Sequence, residues 1–374
     1  MIPLRTIGIV GGGQLALMMA EAASRIDLEV AVLAARADDP AARIVPHTTI
    51  GDPGDAAALR ELARRCDVVT FDHEMVDPAA LRILEAEGYV FRPGARAMAV
   101  AVDKERQLEV FDRLGLRRPT TTVARSLDEV RAAIEAAGGT AVLKVATGGY
   151  DGRGVLLGAT ADSVAAWFPD RPVAVLVQPE LPIEAEIAVQ VVRGVDGEAV
   201  VYPVVRTVQR DGMCAVVQIP ADLDPQLEHS AIDMAIAIAE DIDVVGVLAV
   251  EFFVVGGDLL LNEIAARPHN SGHITMESAR ISQFENHLRA VAGHPLGSTE
   301  LVVPAAATVN VVGGSCSASG YGPLPTDVAV HLYGKEPRPG RKLGHVTATA
   351  ATVHDATERA LRAARTLENG VSTP

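Results

Sequence analysis

Basic side chains are in short supply in this chain: 33 Lys and Arg stand against 48 Asp and Glu, a formal net charge of −15. A face for nucleic acid or anionic membrane needs the opposite excess, so neither is expected as a partner and any local basic cluster is aimed at a small anion. Cysteine is rarer still. Cys66, Cys214 and Cys316 are odd in number, far apart and without a C-x-x-C pair to suggest a disulfide framework or a cysteine zinc site, and read as buried or incidental thiols in a reducing compartment. No apolar run reaches the ~18–20 residues of a membrane span. The opening M-I-P-L-R-T-I-G-I-V-G-G-G has neither the apolar length nor the cleavage site of a signal peptide, so a cytoplasmic protein is expected. Apolar material is not lacking, at 49%, and 374 residues suffice for two or three domains with a sizeable core.

Along the first ~95 residues strands and helices alternate. A β-branched run at 6–10 meets Gly11-Gly12-Gly13, helix formers follow over 14–24, and further strands are expected at 30–34 and 68–71 with a helix at 56–65 between them. That is the pattern of a parallel α/β sheet. Gly11-x-Gly13-x-x-Ala16 loosely matches a dinucleotide fingerprint, but the acid that should close the second strand is absent: Leu33-Ala34-Ala35-Arg36 stands there. A dehydrogenase is therefore disfavoured. Asp72-His73-Glu74 sits at the carboxyl end of the 68–71 strand, where open α/β sheets bind ligands. A helix is expected over 95–114 and another over 126–137, the latter opened by a Ser126/Glu129 capping box.

The stretch L-K-V-A-T-G-G-Y-D-G-R-G-V at 143–155 places Lys144 on an apolar strand before a loop with four glycines, Asp151 and Arg153. Such a loop can bring backbone N–H groups close to phosphate while the two cations supply charge. A buried strand at 173–177 leads into Gln178-Pro179-Glu180-Leu181, and Glu186 lies in a strand starting near Ala185. That arrangement can face an adenine edge and ribose hydroxyls. Strands at 199–205 and 215–219 and a helix at 226–240 make the middle of the chain α+β and antiparallel. Glu251 and Glu263 flank Gly256-Gly257-Asp258; a hairpin with a three-residue loop would set the carboxylates opposite each other as a hard-cation site for Mg2+ and a nucleotide.

Beyond the hairpin, Arg267, His269, Asn270, Ser271 and His273 crowd together, a density of donors read as functional rather than as core. A helix is expected over 278–291. The segment H-L-Y-G-K-E-P-R-P-G-R-K-L-G-H at 331–345 concentrates cations, where an anion such as a phosphate monoester would dock.

These stretches, in this order, resemble the ATP-grasp superfamily, and within it the N5-carboxyaminoimidazole ribonucleotide synthases. The resemblance rests on G-G-G-Q-L at 11–15, G-G-Y-D-G-R-G at 148–154, N-E-I-A-A-R-P-H-N-S-G-H at 262–273, I-S-Q-F-E at 281–285 and R-P-G-R-K-L-G-H at 338–345. It implies an ATP-grasp fold, α/β and α+β. An N-terminal parallel-sheet, Rossmann-like domain (1–98) would precede an ATP-grasp domain (99–292, lid about 120–180) and a small C-terminal domain (293–374), in a homodimer.

Carried over by position, the resemblance gives ATP to Lys104, Lys144, Gly149, Tyr150, Asp151, Gly152, Arg153, Gly154, Val155, Gln178, Pro179, Glu180, Leu181, Glu186, Gln209, Asn262 and Glu263. Mg2+ goes to Glu251 and Glu263. Aminoimidazole ribonucleotide goes to Gln14, Leu15, Asp72-His73-Glu74, Arg267, His269, Asn270, Ser271, His273, Lys335, Arg341 and Lys342. The implied reaction is carboxylation of that ribonucleotide by ATP and bicarbonate through carboxyphosphate, with Asp151, Arg153, Arg267 and His269 nearest the chemistry and Asp151 or His269 taking the proton. Rival readings are a ligase using another acid, such as a formate-dependent glycinamide ribonucleotide transformylase, and a nucleotide sensor without turnover. The chain departs from the family pattern at Ala16-Leu17, where Gly-Arg is frequent, at Lys104 (Arg frequent) and at Gln209 (His frequent). Its link at 313–325 is also short.

Overall fold

The computed structural model describes residues 4–149, 154–168, 174–210, 212–313, 321 and 323–368. The apolar runs of the first third form a four-stranded parallel sheet: β1 (Thr6–Val10), β2 (Glu29–Ala34), β3 (His47–Ile50) and β4 (Val68–Phe71), ordered β3-β2-β1-β4. Helices α1 (Gln14–Ala23), α2 (Ala56–Ala63) and α3 (Pro78–Ala86) accompany it. The last two are opened by Asp55 and Asp77, whose carboxylates accept from the first turn. The helix expected over 95–114 is two, α4 (Ala95–Ala101) and α5 (Lys104–Arg113). Asp103 breaks it by adopting an extended conformation and capping α5, and Lys104 N–H then bonds Ala146 O at 2.9 Å.

A separate antiparallel sheet follows, β5 (Thr122–Ala124), β6 (Ala141–Val145), β7 (Val155–Ala159) and β8 (Val175–Pro179), ordered β5-β8-β6-β7 and backed by α6 (Leu127–Ala136). Ser126 caps α6 as expected, while the Glu129 carboxylate reaches back to Arg125 N–H at 2.6 Å. The expected strand at 173–177 runs two residues later.

The remaining strands build one antiparallel sheet of nine: β9 (Ala185–Arg193), β10 (Ala199–Val201), β11 (Val205–Arg210), β12 (Met213–Ile219), β13 (Gly246–Val255), β14 (Asp258–Ala265), β15 (Ala305–Val312), β16 (Ala329–Leu332) and β17 (Lys342–Ala350). Its order is β14-β13-β9-β11-β12-β15-β17-β16, with β10 on β9, so the ladder runs on from the central segment into the C-terminal strands. Helices α7 (Pro225–Asp241), α8 (Thr275–Ser278), α9 (Gln283–Ala292) and α10 (Val353–Glu368) cover it. The expected strand 199–205 divides around Tyr202-Pro203, since proline has no N–H for a ladder. The helix expected over 278–291 starts only at Gln283, where the Ser282 side chain caps it.

Helix α9 joins the two main sheets. Its fully buried His287 accepts from Val247 N–H at 3.0 Å through Nδ1, which leaves the proton on Nε2 facing Thr70 Oγ1 of β4 at 2.8 Å. Among the described residues no helix is long and apolar enough to cross a membrane. Cys66 is a half-buried free thiol, Cys214 Sγ lies 3.8 Å from Val216 O, and Cys316 and most of the 313–325 link lie outside the described residues.

Candidate active site

The hairpin β13–β14 sets Glu251 opposite Glu263, but not by the expected three-residue loop. Gly256 and Gly257 form a two-residue turn, with φ of 58° and 77°, a left-handed geometry that glycine adopts without steric penalty. Val255 then pairs with Asp258, and unbroken pairing would bring Glu251 to Asn262. Instead the register shifts between Glu251 and Phe252, Asn262 becomes the extra residue, and Glu263 moves opposite Glu251. Asn262 thereby lies between charges: it accepts from Lys144 Nζ at 2.6 Å and donates to Glu251 Oε2 at 3.1 Å.

Lys144 on β6 is buried, and burial lowers its pKa to about 8. Its ammonium also lies 5.6 Å from the ring centroid of Phe253. Lys104, at the first position of α5, pairs with Glu263. Burial alone would depress Lys104, yet the Glu263 carboxylate beside it wins and its pKa is raised. Glu263 in turn is held well down by Lys104, whereas Glu251 is pushed up by burial and by Glu263 facing it. Glu186 on β9 accepts from Gln209 Nε2 at 3.1 Å, so glutamine at 209 keeps a donor there.

Two carboxylates face to face, one already holding an ammonium, fit Mg2+, which fills its remaining positions with phosphate and water oxygens. Among the described residues no group of three or more His, Cys, Asp or Glu could hold a metal by itself. Near the 178–181 segment a groove of about 620 Å³ is lined by Arg117, Thr121, Pro179, Leu181 and Leu260 among others. Gln178 turns its side-chain amide away to Thr121 Oγ1 at 3.0 Å, so only its backbone can serve a ligand. Gly154 has φ of 82°, and a Cβ there would lie 2.4 Å from Val145 Cγ2. Gly149 precedes, and Val155 opens β7; Tyr150, Asp151, Gly152 and Arg153 lie outside the described residues.

The R-P-H-N-S-G-H cluster divides. Arg267 Nε donates to Glu74 Oε2 at 2.8 Å, and His269 Nε2 lies 3.7 Å from Glu251 Oε1. Behind them, Gln190 Nε2 donates to Ser271 Oγ at 2.7 Å, and Ser271 Oγ lies 2.7 Å from His269 Nδ1. With Ser271 O–H donating, Nδ1 is the acceptor and the imidazole proton sits on Nε2, toward Glu251. Asn270 and Asn310 exchange side-chain amide bonds at 3.1 and 2.9 Å. Ser271 and His273 are fully buried. The cluster therefore has a partly exposed portion, Arg267 and His269, and a buried portion in which most donors pair with neighbouring groups while His273 Nε2 has no hydrogen-bond partner among the described residues.

From the N-terminal sheet, Gln14 at the start of α1 accepts from Lys335 Nζ at 2.5 Å, while Leu15 is packed in the core. Arg341 is half-exposed and bonds Glu336 O at 3.2 Å, and Lys342 is buried at the start of β17. Asp72 takes the place an anion would occupy at the glycine turn. Its carboxylate accepts from Gly13 N–H at 2.7 Å, and a Cβ on Gly11 would fall 1.6 Å from it. The weak dinucleotide fingerprint thus has an internal carboxylate where a pyrophosphate would lie, and burial pushes that carboxyl's pKa up.

Comparison with known proteins finds three matching family models. A ribonucleotide synthetase preATP-grasp domain matches residues 4–102, an ATP-grasp domain 109–284, and a phosphoribosylaminoimidazole carboxylase C-terminal domain 306–359. The chain is 41% identical over 378 residues to N5-carboxyaminoimidazole ribonucleotide synthase of Mycobacterium bovis, covering 97% of this chain and 88% of that one. This chain belongs to the N5-carboxyaminoimidazole ribonucleotide synthase family. The family's Synechococcus elongatus member is 39% identical over 369 residues, covering 96% and 93% of the two chains. The crystal structure of the Aspergillus clavatus synthase, with ADP and 5-aminoimidazole ribonucleotide, aligns with a TM-score of 0.86 at 31% identity over 97% of this chain and 99% of that one.

Sequence reasoning passed over Gln190, Asn310, Tyr333 and His331. Gln190 and Asn310 are polar residues inside otherwise apolar strands, a signal that was available. Tyr333 and His331 were inside a segment weighed only for its cations.

Proposed function

We propose that this chain carboxylates 5-aminoimidazole ribonucleotide to N5-carboxyaminoimidazole ribonucleotide with ATP and bicarbonate, a step of de novo purine biosynthesis. The observation that carries the reading is that one short stretch, 251–269, supplies the carboxylate pair, the Asn262 bridge to Lys144 and His269 beside Glu251, together with Arg267 paired to Glu74. In this reading the phosphate-activating centre comes from the hairpin and the substrate-facing pair from the residues that directly follow it.

In this reading a bicarbonate oxygen attacks the γ-phosphorus of ATP, ADP leaves, and carboxyphosphate results. Lys104 and Lys144 neutralise the phosphoryl oxygens as charge shifts, a matter of positioning and electrostatics. Glu251 and Glu263 would hold Mg2+, which would supply positive charge to offset that of the triphosphate. Gly149, Tyr150, Asp151, Gly152, Arg153, Gly154 and Val155 serve the phosphates and keep water from the mixed anhydride. Backbone groups of Gln178, Pro179, Glu180 and Leu181 take adenine, and Glu186 with Gln209 takes the ribose. The exocyclic amine of the ribonucleotide attacks the carboxyl carbon, phosphate leaves, and of the two candidate acceptors Asp151 takes the amine proton, since His269 carries its own proton on Nε2 and faces the site as a donor. Gln14, Glu74, Arg267, Asn270, Lys335, Arg341 and Lys342 orient the ribonucleotide, with Leu15, Ser271 and His273 supporting that face. The three-part division at 98–99 and 292–293, a homodimer and a cytoplasmic setting complete the proposal.

The test is ADP release with Mg-ATP and bicarbonate, with and without aminoimidazole ribonucleotide. Release that depends on the ribonucleotide is the expected result. ATP bound but never consumed would instead identify a sensor, and consumption with formate and another amine would identify a different ligase.

A further inference from the structure

Three imidazoles stack between the C-terminal strands and the segment before α8. His273 and His345 have ring centroids 4.8 Å apart, and His345 and His331 4.6 Å apart. Phe284 closes one end, 5.6 Å from His273, and Glu277 Oε1 closes the other, 2.7 Å from His331 Nε2. Burial drives the pKa values of His273 and His345 well down, so the inner two rings are neutral and pack as aromatic plates.

The middle ring has a second contact. His345 Nδ1 is 2.7 Å from the hydroxyl of Tyr333, which is itself 2% exposed. Tyr333 is fixed at its other end by its N–H, which bonds Leu343 O at 2.9 Å. Its ring face then lies 5.4 Å from Lys335 Nζ, the ammonium that also reaches Gln14. Between them Gly334 turns with φ of 65°, and its carbonyl accepts from Arg43 Nη1 at 2.5 Å. A lysine has a long flexible stem, and a bare strap would let its ammonium wander. Here a pinned aromatic face narrows that freedom.

We propose that Tyr333 is a positioning residue for Lys335: the histidine column holds the tyrosine hydroxyl, and the tyrosine ring holds the lysine ammonium at the ribonucleotide face of the site. The inference rests on the proposed function for its kinetic consequence but not for its geometry, and the two are tested separately.

Tyr333→Leu removes the aromatic face. The expected effect is a rise in KM for aminoimidazole ribonucleotide of about threefold to thirtyfold, the range of a partly desolvated cation–π contact, with KM for ATP unchanged. Tyr333→Phe keeps the ring and loses only the His345 anchor, and shows a smaller rise. In a Lys335→Ala background Tyr333→Leu adds nothing further. The geometry is read without activity by NMR of reductively 13C-methylated protein, with the Lys335 signal assigned through Lys335→Arg. Ring current displaces that signal in the wild type, and Tyr333→Leu returns it to the position of an exposed lysine. Equal kinetic effects of Tyr333→Leu with and without Lys335, or an undisplaced Lys335 signal in the wild type, would overturn the proposal. A wild type that lacks ribonucleotide-dependent turnover yet shows the displaced signal would overturn the functional reading alone. If Tyr333→Leu does not fold, His345→Gln and Tyr333→Phe carry the same comparison.

Discussion

Glu251 and Glu263 face each other because Asn262 is an extra residue in β14, not because the hairpin loop has the length to align them. The bulge turns two consecutive polar residues toward one pocket, which a regular strand would send to opposite faces. Glu263→Gln tests the consequence. It keeps the shape but removes the charge that Lys104 neutralises and that a divalent cation would share. ADP release should fall by about 10²–10³, the scale seen when one electrostatic stabiliser is lost, with an unchanged circular dichroism spectrum. Wild-type turnover in this variant would refute the metal assignment.

Lys144 carries a pH signature. Burial sets its pKa at about 8 in the free protein, and triphosphate beside it must raise that value. Below pH 8 the ammonium is present before ATP arrives. Above it, binding must take up a proton, so affinity weakens as pH rises, approaching about tenfold per unit. Titration calorimetry at pH 8.5 in two buffers of different ionisation enthalpy should register uptake of up to about one proton per ATP, and Lys144→Gln should abolish it. Identical heats in both buffers for the wild type would exclude the assignment.

Much of the fold could be read from residue pattern. The parallel sheet followed from alternating short apolar runs and glycine turns, and the hairpin from G-G-D between two short apolar runs. What failed was local and had local causes. A helix pattern over 95–114 looked continuous because Val102 and Asp103 do not interrupt its amphipathicity, yet Asp103 prefers to cap, and that break is what brings Lys104 to Glu263. The bulge at Asn262 has no sequence signature, since it is imposed by pairing on the far strand. The donor density around Ser271 and His273 is visible in the sequence, whereas their buried partners Gln190 and Gln283 lie on other elements and are not. Long-range partners of polar residues are what a single sequence conceals.

His287 couples the two main sheets, and its removal should show in stability rather than activity. His287→Leu leaves Val247 N–H and the Thr70 hydroxyl buried without their partner, a loss of about 2–4 kcal/mol at pH 7. Burial depresses its pKa to about 3, against about 6.5 in the unfolded chain. Between those values the unfolded chain binds a proton that the folded one refuses, so wild-type stability falls by about 1.4 kcal/mol per unit as pH drops from 6.5 toward 3. His273 and His345 add slopes of the same sign. Denaturant midpoints of His287→Leu should therefore be lower at pH 7 but less acid-sensitive, by about one proton. A slope equal to the wild type's would show that His287 titrates normally in the fold.

Ser271 decides which nitrogen of His269 carries the proton. Its hydroxyl receives a bond from Gln190 and so directs its own hydrogen to Nδ1, which leaves Nε2–H toward Glu251 and makes His269 a donor on the side of the carboxylate pair. Without the hydroxyl, the main remaining contact at Nδ1 is the long one from Ser271 N–H, 3.4 Å, and the preference for one tautomer weakens. Ser271→Ala should then lower kcat by about tenfold, one hydrogen bond's worth, with KM for ATP unchanged because Lys104, Lys144 and the hairpin are untouched. The discriminating readout is 15N NMR of the imidazole: the wild type should show a protonated Nε2 and an acceptor Nδ1, and the variant an averaged pair. A variant whose nitrogens keep the wild-type pattern while kcat falls would assign Ser271 a packing role and free His269 from its control.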